Sequence, residues 1–388
     1  MKAAPALVFA KLAEIFDRPR FVDERRSHHS GIAHASELEN KDDQGSCWTV
    51  GATRDARKSA VEETDLLLKK LKYATRPINM KIIFYSPEKN LDPWLDEIAV
   101  SFPGAEVWAW TPECAARQAD YAVLWAPPLE LFTSQRQLKA VFNIGAGVDR
   151  VMTLPNLPPG VLIVRLNDAG MAVQMAEYVC HALFRFARGF DGYETQAKNV
   201  EWKQHRPINR AAFPVGVMGL GDIGARVAQA VAGFDYPTFG WSRTTKTLNG
   251  VTTFVGNEGF EEFLGRVRVL VCVLPLTAET EGILNATTLS KLKPNGYLIN
   301  VARGKHLVEN DLLAMLDSGH LAGATLDVFR EEPLPTAHAF WAHPKISITP
   351  HISATTLRAE SVAQIAQKMF ALERGDAVDG VVETTRGY

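Results

Sequence analysis

From Met80 onward, short apolar runs alternate with longer stretches whose apolar residues recur at helical spacing. Lys81-Ile-Ile-Phe-Tyr85, Tyr121-Ala-Val-Leu-Trp125, Ala140-Val-Phe-Asn143 and Val161-Leu-Ile-Val164 read as buried strands. Helix-length text lies between some of them, an alternation that predicts a parallel sheet wrapped by helices. Ala172 to Phe190 then carries Met175, Tyr178, Val179, Leu183 and Phe186 at helical spacing. It reads as one long helix linking this unit to a second. Strands of the second unit are expected at Val215–Met218, Thr238–Trp241, Leu270–Leu274, Tyr297–Val301, Gly323–Val328 and Ile346–Thr349. A last helix, Leu357 to Glu373, has no strand beside it and is expected to pack back on the first unit.

Residues 1–79 follow another pattern. His28-His29-Ser30-Gly31 and Asn40-Lys-Asp-Asp-Gln-Gly45 are polar text of mixed charge. Only Ser59 to Tyr73 is helical in pattern, through Val61, Leu66, Leu67, Leu68 and Leu71. The expectation is a poorly ordered extension with one amphipathic helix, the functional unit beginning near Met80.

The first polar punctuation of the second unit is Gly219-Leu-Gly221-Asp-Ile-Gly224, between the strand Val215–Met218 and a helix-compatible stretch, Ala225 to Ala232. In that setting a glycine-rich loop can cradle a dinucleotide pyrophosphate. Gly219 permits the tight turn, Gly221 lets backbone approach the phosphates, and Gly224 lets helix pack on strand. The helix start offers unpaired N–H groups, those of Asp222 and Ile223 among them, and the positive dipole end. The plainer alternative is an ordinary tight strand-to-helix turn.

An NAD site usually ends its second strand with Asp or Glu on the ribose hydroxyls. Here the strand runs into Ser242-Arg243-Thr244. Hydroxyls and a guanidinium suit a 2′-phosphate, so NADPH is expected over NADH, with NADH still possible. The alternative leaves Arg243 in solvent and gives the ribose to Asp235.

Three stretches put polar residues just beyond apolar strands, where ligands of such sheets bind. They are Asn300-Val-Ala-Arg303-Gly304, Asp327-Val-Phe-Arg-Glu-Glu332-Pro333 and Thr349-Pro350-His351-Ile352-Ser353. Reduction of an α-keto acid needs a cation for the carboxylate and carbonyl, which suits Arg303. It needs a proton donor for the carbonyl oxygen, which suits His351. A carboxylate beside the imidazole would fix its tautomer and keep it charged, which suits Glu332. Arg303 could instead be a structural cap, Glu331 could replace Glu332, and His351 could be a core histidine. His181, His205, His306, His320, His338 and His343 sit in no comparable motif and read as surface or packing residues.

Taken together, the glycine loop and the N-V-A-R-G, D-V-F-x-x-E-P and T-P-H-I-S stretches resemble the D-isomer-specific 2-hydroxyacid dehydrogenases from about Met80 to Tyr388. The resemblance implies an Arg303, Glu332 and His351 catalytic set. It implies a substrate-clamping loop, Asn143-Ile-Gly-Ala146-Gly147-Val148-Asp149. Trp125, at a strand end, reads as a core residue or as a pocket wall. Trp125-Ala-Pro-Pro128, Ala169 to Glu177 and Trp241-Ser-Arg243 are similar to the glyoxylate/hydroxypyruvate reductase branch, and the 79-residue leader departs from it. Leu274, Pro275, Val301, Ala302 and Asp327, at further strand ends, complete the expected cofactor contacts.

The expected fold is α/β, with two doubly wound parallel-sheet domains and an active-site cleft between them. A flavodoxin-like substrate domain spans 80–178, completed by 354–388. A Rossmann-type cofactor domain spans 179–353. The expected reaction is NADPH-dependent reduction of glyoxylate or hydroxypyruvate. The alternatives are an NADH-dependent relative of phosphoglycerate or D-lactate type, and a dinucleotide-sensing, corepressor-like binding protein.

Composition narrows the partners. Hydrophobic residues at 46% and charged residues at 22% are ordinary for a globular chain. A net charge of −2 without a long basic block argues against nucleic acid. No apolar run is long enough to span a membrane. Ala3 to Ala10 is apolar, but Lys11, Glu14 and Asp17 make it a poor secretion signal. Cys47, Cys114, Cys180 and Cys272 are scattered, so neither a disulfide framework nor a metal site is expected. A cytoplasmic homodimer acting on a small 2-oxo acid is the resulting expectation.

Overall fold

Two parallel sheets organise the computed structural model, which describes residues 80–383 apart from 146, 153 and 155. The expectations for residues 1–79, including the Ser59 to Tyr73 helix, and for Ala146 lie outside the described residues. The first sheet contains β1 (Lys81–Tyr85), β2 (Glu106–Ala109), β3 (Tyr121–Leu124), β4 (Ala140–Asn143) and β5 (Leu162–Arg165), in the order β2-β1-β3-β4-β5. That is the flavodoxin-like order. The second contains β6 (Val215–Met218), β7 (Thr238–Ser242), β8 (Val251–Val255), β9 (Val269–Cys272), β10 (Gly296–Asn300), β11 (Leu321–Leu326) and β12 (Ile346–Ile348). Its order, β12-β11-β10-β9-β6-β7-β8, is the doubly wound dinucleotide order with one added edge strand. All pairings within both sheets are parallel, and the central strands are buried throughout. That burial is why they read as continuous apolar runs.

β2 and β8 are absent from the sequence reading. Both are edge strands with partly exposed residues, and neither forms an apolar run. The expected helix Ala172 to Phe190 is two helices, Met171–Arg188 and Phe190–Lys198. Gly189, at φ 65°, ends the first, a left-handed cap that glycine adopts without penalty. Several strands stop short of their expected ends. Trp125, Leu274, Val301 and Asp327 therefore stand just past β3, β9, β10 and β11.

The chain crosses between lobes twice. On the way out, Met171–Arg188 buries Val179 and Leu183 against Val215, Val217 and Val227. On the way back, Arg358–Glu373 joins the first lobe's core, where Val362, Ile365, Met369 and Phe370 meet Ile98 and Phe102. Phe102 is fully buried, which contributes about 1.5–3 kcal/mol for such a side chain. The two crossings are tied to each other. Leu357 N–H donates to Ala169 O at 3.2 Å. Gln174 donates to Thr355 O at 2.8 Å and accepts from Thr355 N–H at 3.2 Å. Among the described residues, no helix is long and apolar enough to cross a membrane.

Candidate active site

β6 is where the strand order of the second sheet reverses, between β7 and β9, and the glycine loop leaves its carboxyl end. Ligands of open α/β sheets bind at such a reversal. Gly219 has φ 96°, and a side chain there would meet Val273 O at 2.8 Å. A Cβ on Gly224 would lie 1.9 Å from Gly219 O, so helix Asp222–Ala232 closes directly on the turn. A Cβ on Gly221 would meet no protein atom within 4 Å. No side chain caps this helix, so its first N–H groups face the loop's concavity with the positive dipole end. These features fit a dinucleotide pyrophosphate.

The rim beyond β7 differs from expectation in one respect. Ser242 is nearly buried and donates to Thr244 O at 2.8 Å. It shapes the turn, since its only proton is taken. Arg243 and Thr244 are exposed on that turn and remain the groups able to meet a 2′-phosphate. Asp235 precedes β7, at its far end. Val301 and Ala302 are buried in core clusters, which leaves their backbone for any contact with a cofactor.

His351 and Glu332 meet where the turns after β12 and β11 converge. His351 Nδ1 lies 2.9 Å from Glu332 Oε2, and Glu332 Oε1 accepts from Phe329 N–H at 3.0 Å. Burial pushes the Glu332 carboxyl up. The His351 and Phe329 hydrogen bonds, with the charges of His351 and Arg303, outweigh it and hold Glu332 below the ordinary carboxylate range. With Nδ1 turned to Glu332, Nε2 is the ring nitrogen left for a substrate.

His351 has φ 56°, a conformation costing on the order of 1–3 kcal/mol for a non-glycine residue. Asp327 holds it there. This residue, expected at the cofactor, is instead fully buried with its carboxylate committed to the turn. Oδ1 accepts from Thr349 Oγ1 at 2.5 Å and Ile352 N–H at 2.8 Å, and Oδ2 accepts from Ser353 N–H at 2.8 Å. Its backbone carbonyl accepts His351 N–H at 2.8 Å. Because Thr349 donates to Asp327, Tyr178 must donate to Thr349, at 2.5 Å. Burial pushes the Tyr178 phenol up to about 12, so it keeps the proton that this requires.

Arg303 follows β10. Its N–H donates to Nδ1 of the fully buried His306, whose Nε2 reaches Pro275 O at 3.2 Å. His306 therefore fastens the arginine turn to the segment after β9. It is a packing residue, as expected, with a positioning role whose only sequence signal is its place three residues after Arg303.

The first lobe supplies the opposite wall. Asn143, buried at the end of β4, donates from Nδ2 to Gly145 O at 2.7 Å and Gly147 O at 3.0 Å, bending the following loop into a cup. The Trp125 ring lies so close over Gly145 that a Cβ there would sit 2.0 Å from Cζ3. Trp125, Asn143 and Gly147 line one cavity of about 350 Å³ with Arg303, Glu332 and His351. Lys305 and Arg330, absent from the sequence reading, line it too. No group of three or more potential metal ligands occurs among the described residues. A cation, an imidazole paired with a carboxylate, and a loop with backbone N–H groups can together hold a small anionic carbonyl compound and protonate its oxygen.

Comparison with known proteins places this geometry among relatives. Residues 180–353 match the family model described as D-isomer specific 2-hydroxyacid dehydrogenase, NAD binding domain. The chain is 45% identical over 314 residues to glyoxylate/hydroxypyruvate reductase A of Serratia proteamaculans, covering 80% of this chain and 100% of that one. The Yersinia enterocolitica protein of the same name is 42% identical over the same coverage. Among solved structures, a D-isomer specific 2-hydroxyacid dehydrogenase of Xanthobacter autotrophicus in complex with NADPH and MES is 36% identical with TM-score 0.76. An NADPH-dependent glyoxylate/hydroxypyruvate reductase of Sinorhizobium meliloti in complex with NADP and sulfate is 36% identical with TM-score 0.74. Each covers 80% of this chain and is itself fully covered.

Proposed function

The chain belongs to the D-isomer specific 2-hydroxyacid dehydrogenases, and from that premise we infer that it is an NADPH-dependent reductase of small 2-oxo acids. Glyoxylate and hydroxypyruvate are the proposed substrates, giving glycolate and D-glycerate. The names of the relatives support this choice. The observation that carries the reading is the convergence of Arg303 and the His351–Glu332 pair on one cavity, faced by Trp125 and Gly147.

Arg303 binds the substrate carboxylate and polarises the adjacent carbonyl, with the Gly147 loop contributing N–H groups. His351 donates the proton to the carbonyl oxygen from Nε2. Glu332 accepts from Nδ1 and keeps the imidazole oriented. NADPH, when bound, supplies the hydride for the carbonyl carbon. Gly219, Gly221, Asp222, Ile223 and Gly224 would hold its pyrophosphate, Arg243 and Thr244 its 2′-phosphate, and Leu274 and Pro275 would flank it. Trp125 bounds the substrate and excludes water.

In this assignment residues 80–178 with 354–388 serve the substrate, and residues 179–353 serve the cofactor. A homodimer is part of the proposal. Val200 and Trp202 support it, being 94% and 98% exposed apolar side chains of the cofactor lobe. A cytoplasmic location suits Cys114, Cys180 and Cys272, which form no disulfide.

A steady-state panel of glyoxylate, hydroxypyruvate, pyruvate and phenylpyruvate against NADPH and NADH tests the reading. Turnover of the first two with NADPH is expected. A protein that binds NADPH without consuming it would be a sensor, and the reading would fail.

A further inference from the structure

We propose that the cavity also accepts short 2-oxo acids bearing a second carboxylate, and that Lys305 and Arg330 receive that group. The proposal rests on the reductase reading and widens its substrate class.

A monoacid uses only part of the cavity's charge. Its carboxylate goes to Arg303 and the Gly147 loop, and its carbonyl oxygen to His351. Two further cations line the same cavity. Lys305 is exposed, and its ammonium has no ion-pair partner among the described residues. Arg330 keeps one arm on Leu307 O at 3.2 Å. Its other arm is 3.7 Å from Glu281 Oε1, with both side chains about half exposed, so this contact is weak and replaceable. Among the described residues lining the cavity the one carboxylate is Glu332, which is already paired with His351.

The backbone segments that carry the two cations are also packed together. Gly304, which separates Arg303 from Lys305, is pressed against the Phe329–Arg330 peptide. A Cβ on it would lie 1.8 Å from Phe329 C and 2.3 Å from Arg330 N. The Leu307 contact binds Arg330 to the same turn. Lys305 and Arg330 therefore stand on two segments packed at one backbone seam, and Lys305 is two residues from the arginine that takes the first carboxylate. A cleft lined this way concentrates anions, and a dianion gains most. The redox balance is that of the parent reaction: the keto carbon gains hydride from NADPH, its oxygen gains the proton from His351, and the second carboxylate is unchanged.

The test compares matched pairs in which the second carboxylate becomes a methyl group. These are oxaloacetate against 2-oxobutanoate, and 2-oxoglutarate against 2-oxopentanoate. In the wild-type protein each diacid should lead in kcat/KM by about tenfold or more, the effect of one charge-assisted contact. In the Lys305→Gln/Arg330→Gln protein the ratio should fall towards one, and in Arg330→Glu lower still. Taking the ratio within each protein cancels any general loss of activity. No diacid advantage in the wild type overturns the proposal, as does an advantage that survives the double substitution. Activity on monoacids alone leaves the parent reading standing. A protein that reduces no 2-oxo acid overturns both.

Discussion

Glu332 Oε2 and His351 Nδ1 lie 2.9 Å apart, on turns that follow different strands of one sheet. With Glu332 held below the ordinary carboxylate range, the carboxylate is ionised around neutral pH. As a carboxylate it accepts from Nδ1 and fixes the ring that presents Nε2 to the substrate. Keto-acid reduction should therefore decline at acid pH, as Glu332 is protonated below the ordinary carboxylate range. Glu332→Gln keeps the shape and has no such proton to gain, so its lower activity should lack that acid limb. The check is kcat/KM against pH for both proteins; coincident profiles would contradict the pairing. Any stability from the pair has the usual carboxylate sign. It is present above the unfolded value of Glu332 and is lost as pH falls through the lower folded one.

Asp327→Asn should separate positioning from chemistry. The amide would present N–H to one of the donors that now meet a carboxylate, a mismatch of about 1–3 kcal/mol. Denaturant unfolding should report that loss. Turnover should fall further than stability alone explains, because His351 at φ 56° depends on this anchor. NADPH titration should be changed little.

The glycine loop makes two opposed predictions. Gly221→Ala adds a methyl into space free of protein atoms within 4 Å, so melting temperature should hold while NADPH affinity drops. Gly224→Ala puts that methyl 1.9 Å from Gly219 O and must displace the turn. Both melting temperature and affinity should fall. Tight NADPH binding by the Gly221 variant would move the phosphates away from this loop.

Under the proposed reading, Arg243 sets cofactor choice. Arg243→Ala should weaken NADPH by about 1.5–3 kcal/mol, or roughly tenfold or more, since only that cofactor carries the 2′-phosphate. NADH affinity should change far less. Equal losses in parallel titrations would remove Arg243 from the phosphate.

Legibility followed burial and motif density. Central strands such as β6 and β9 are buried throughout and stand out as apolar runs. β2 and β8 lie at sheet edges, where exposed positions dilute the pattern. The catalytic candidates were legible because each is a polar residue just past an apolar strand. Asp327 shows the limit of that rule. It stands at a strand end, yet its carboxylate points into the turn it anchors, and only three-dimensional partners reveal this. Ser242 differs for the same reason, through its bond to Thr244 O. His306, Asn143, Lys305 and Arg330 matter by what lies across the cavity or beneath a turn, and no local periodicity encodes that.

The most direct test of the central claim is NADPH consumption by His351→Ala with glyoxylate and hydroxypyruvate, alongside a fluorescence titration of NADPH. If His351 is the proton donor, turnover should fall on the order of 10²–10⁴-fold while NADPH still binds. Near-normal turnover in that variant would contradict the mechanism.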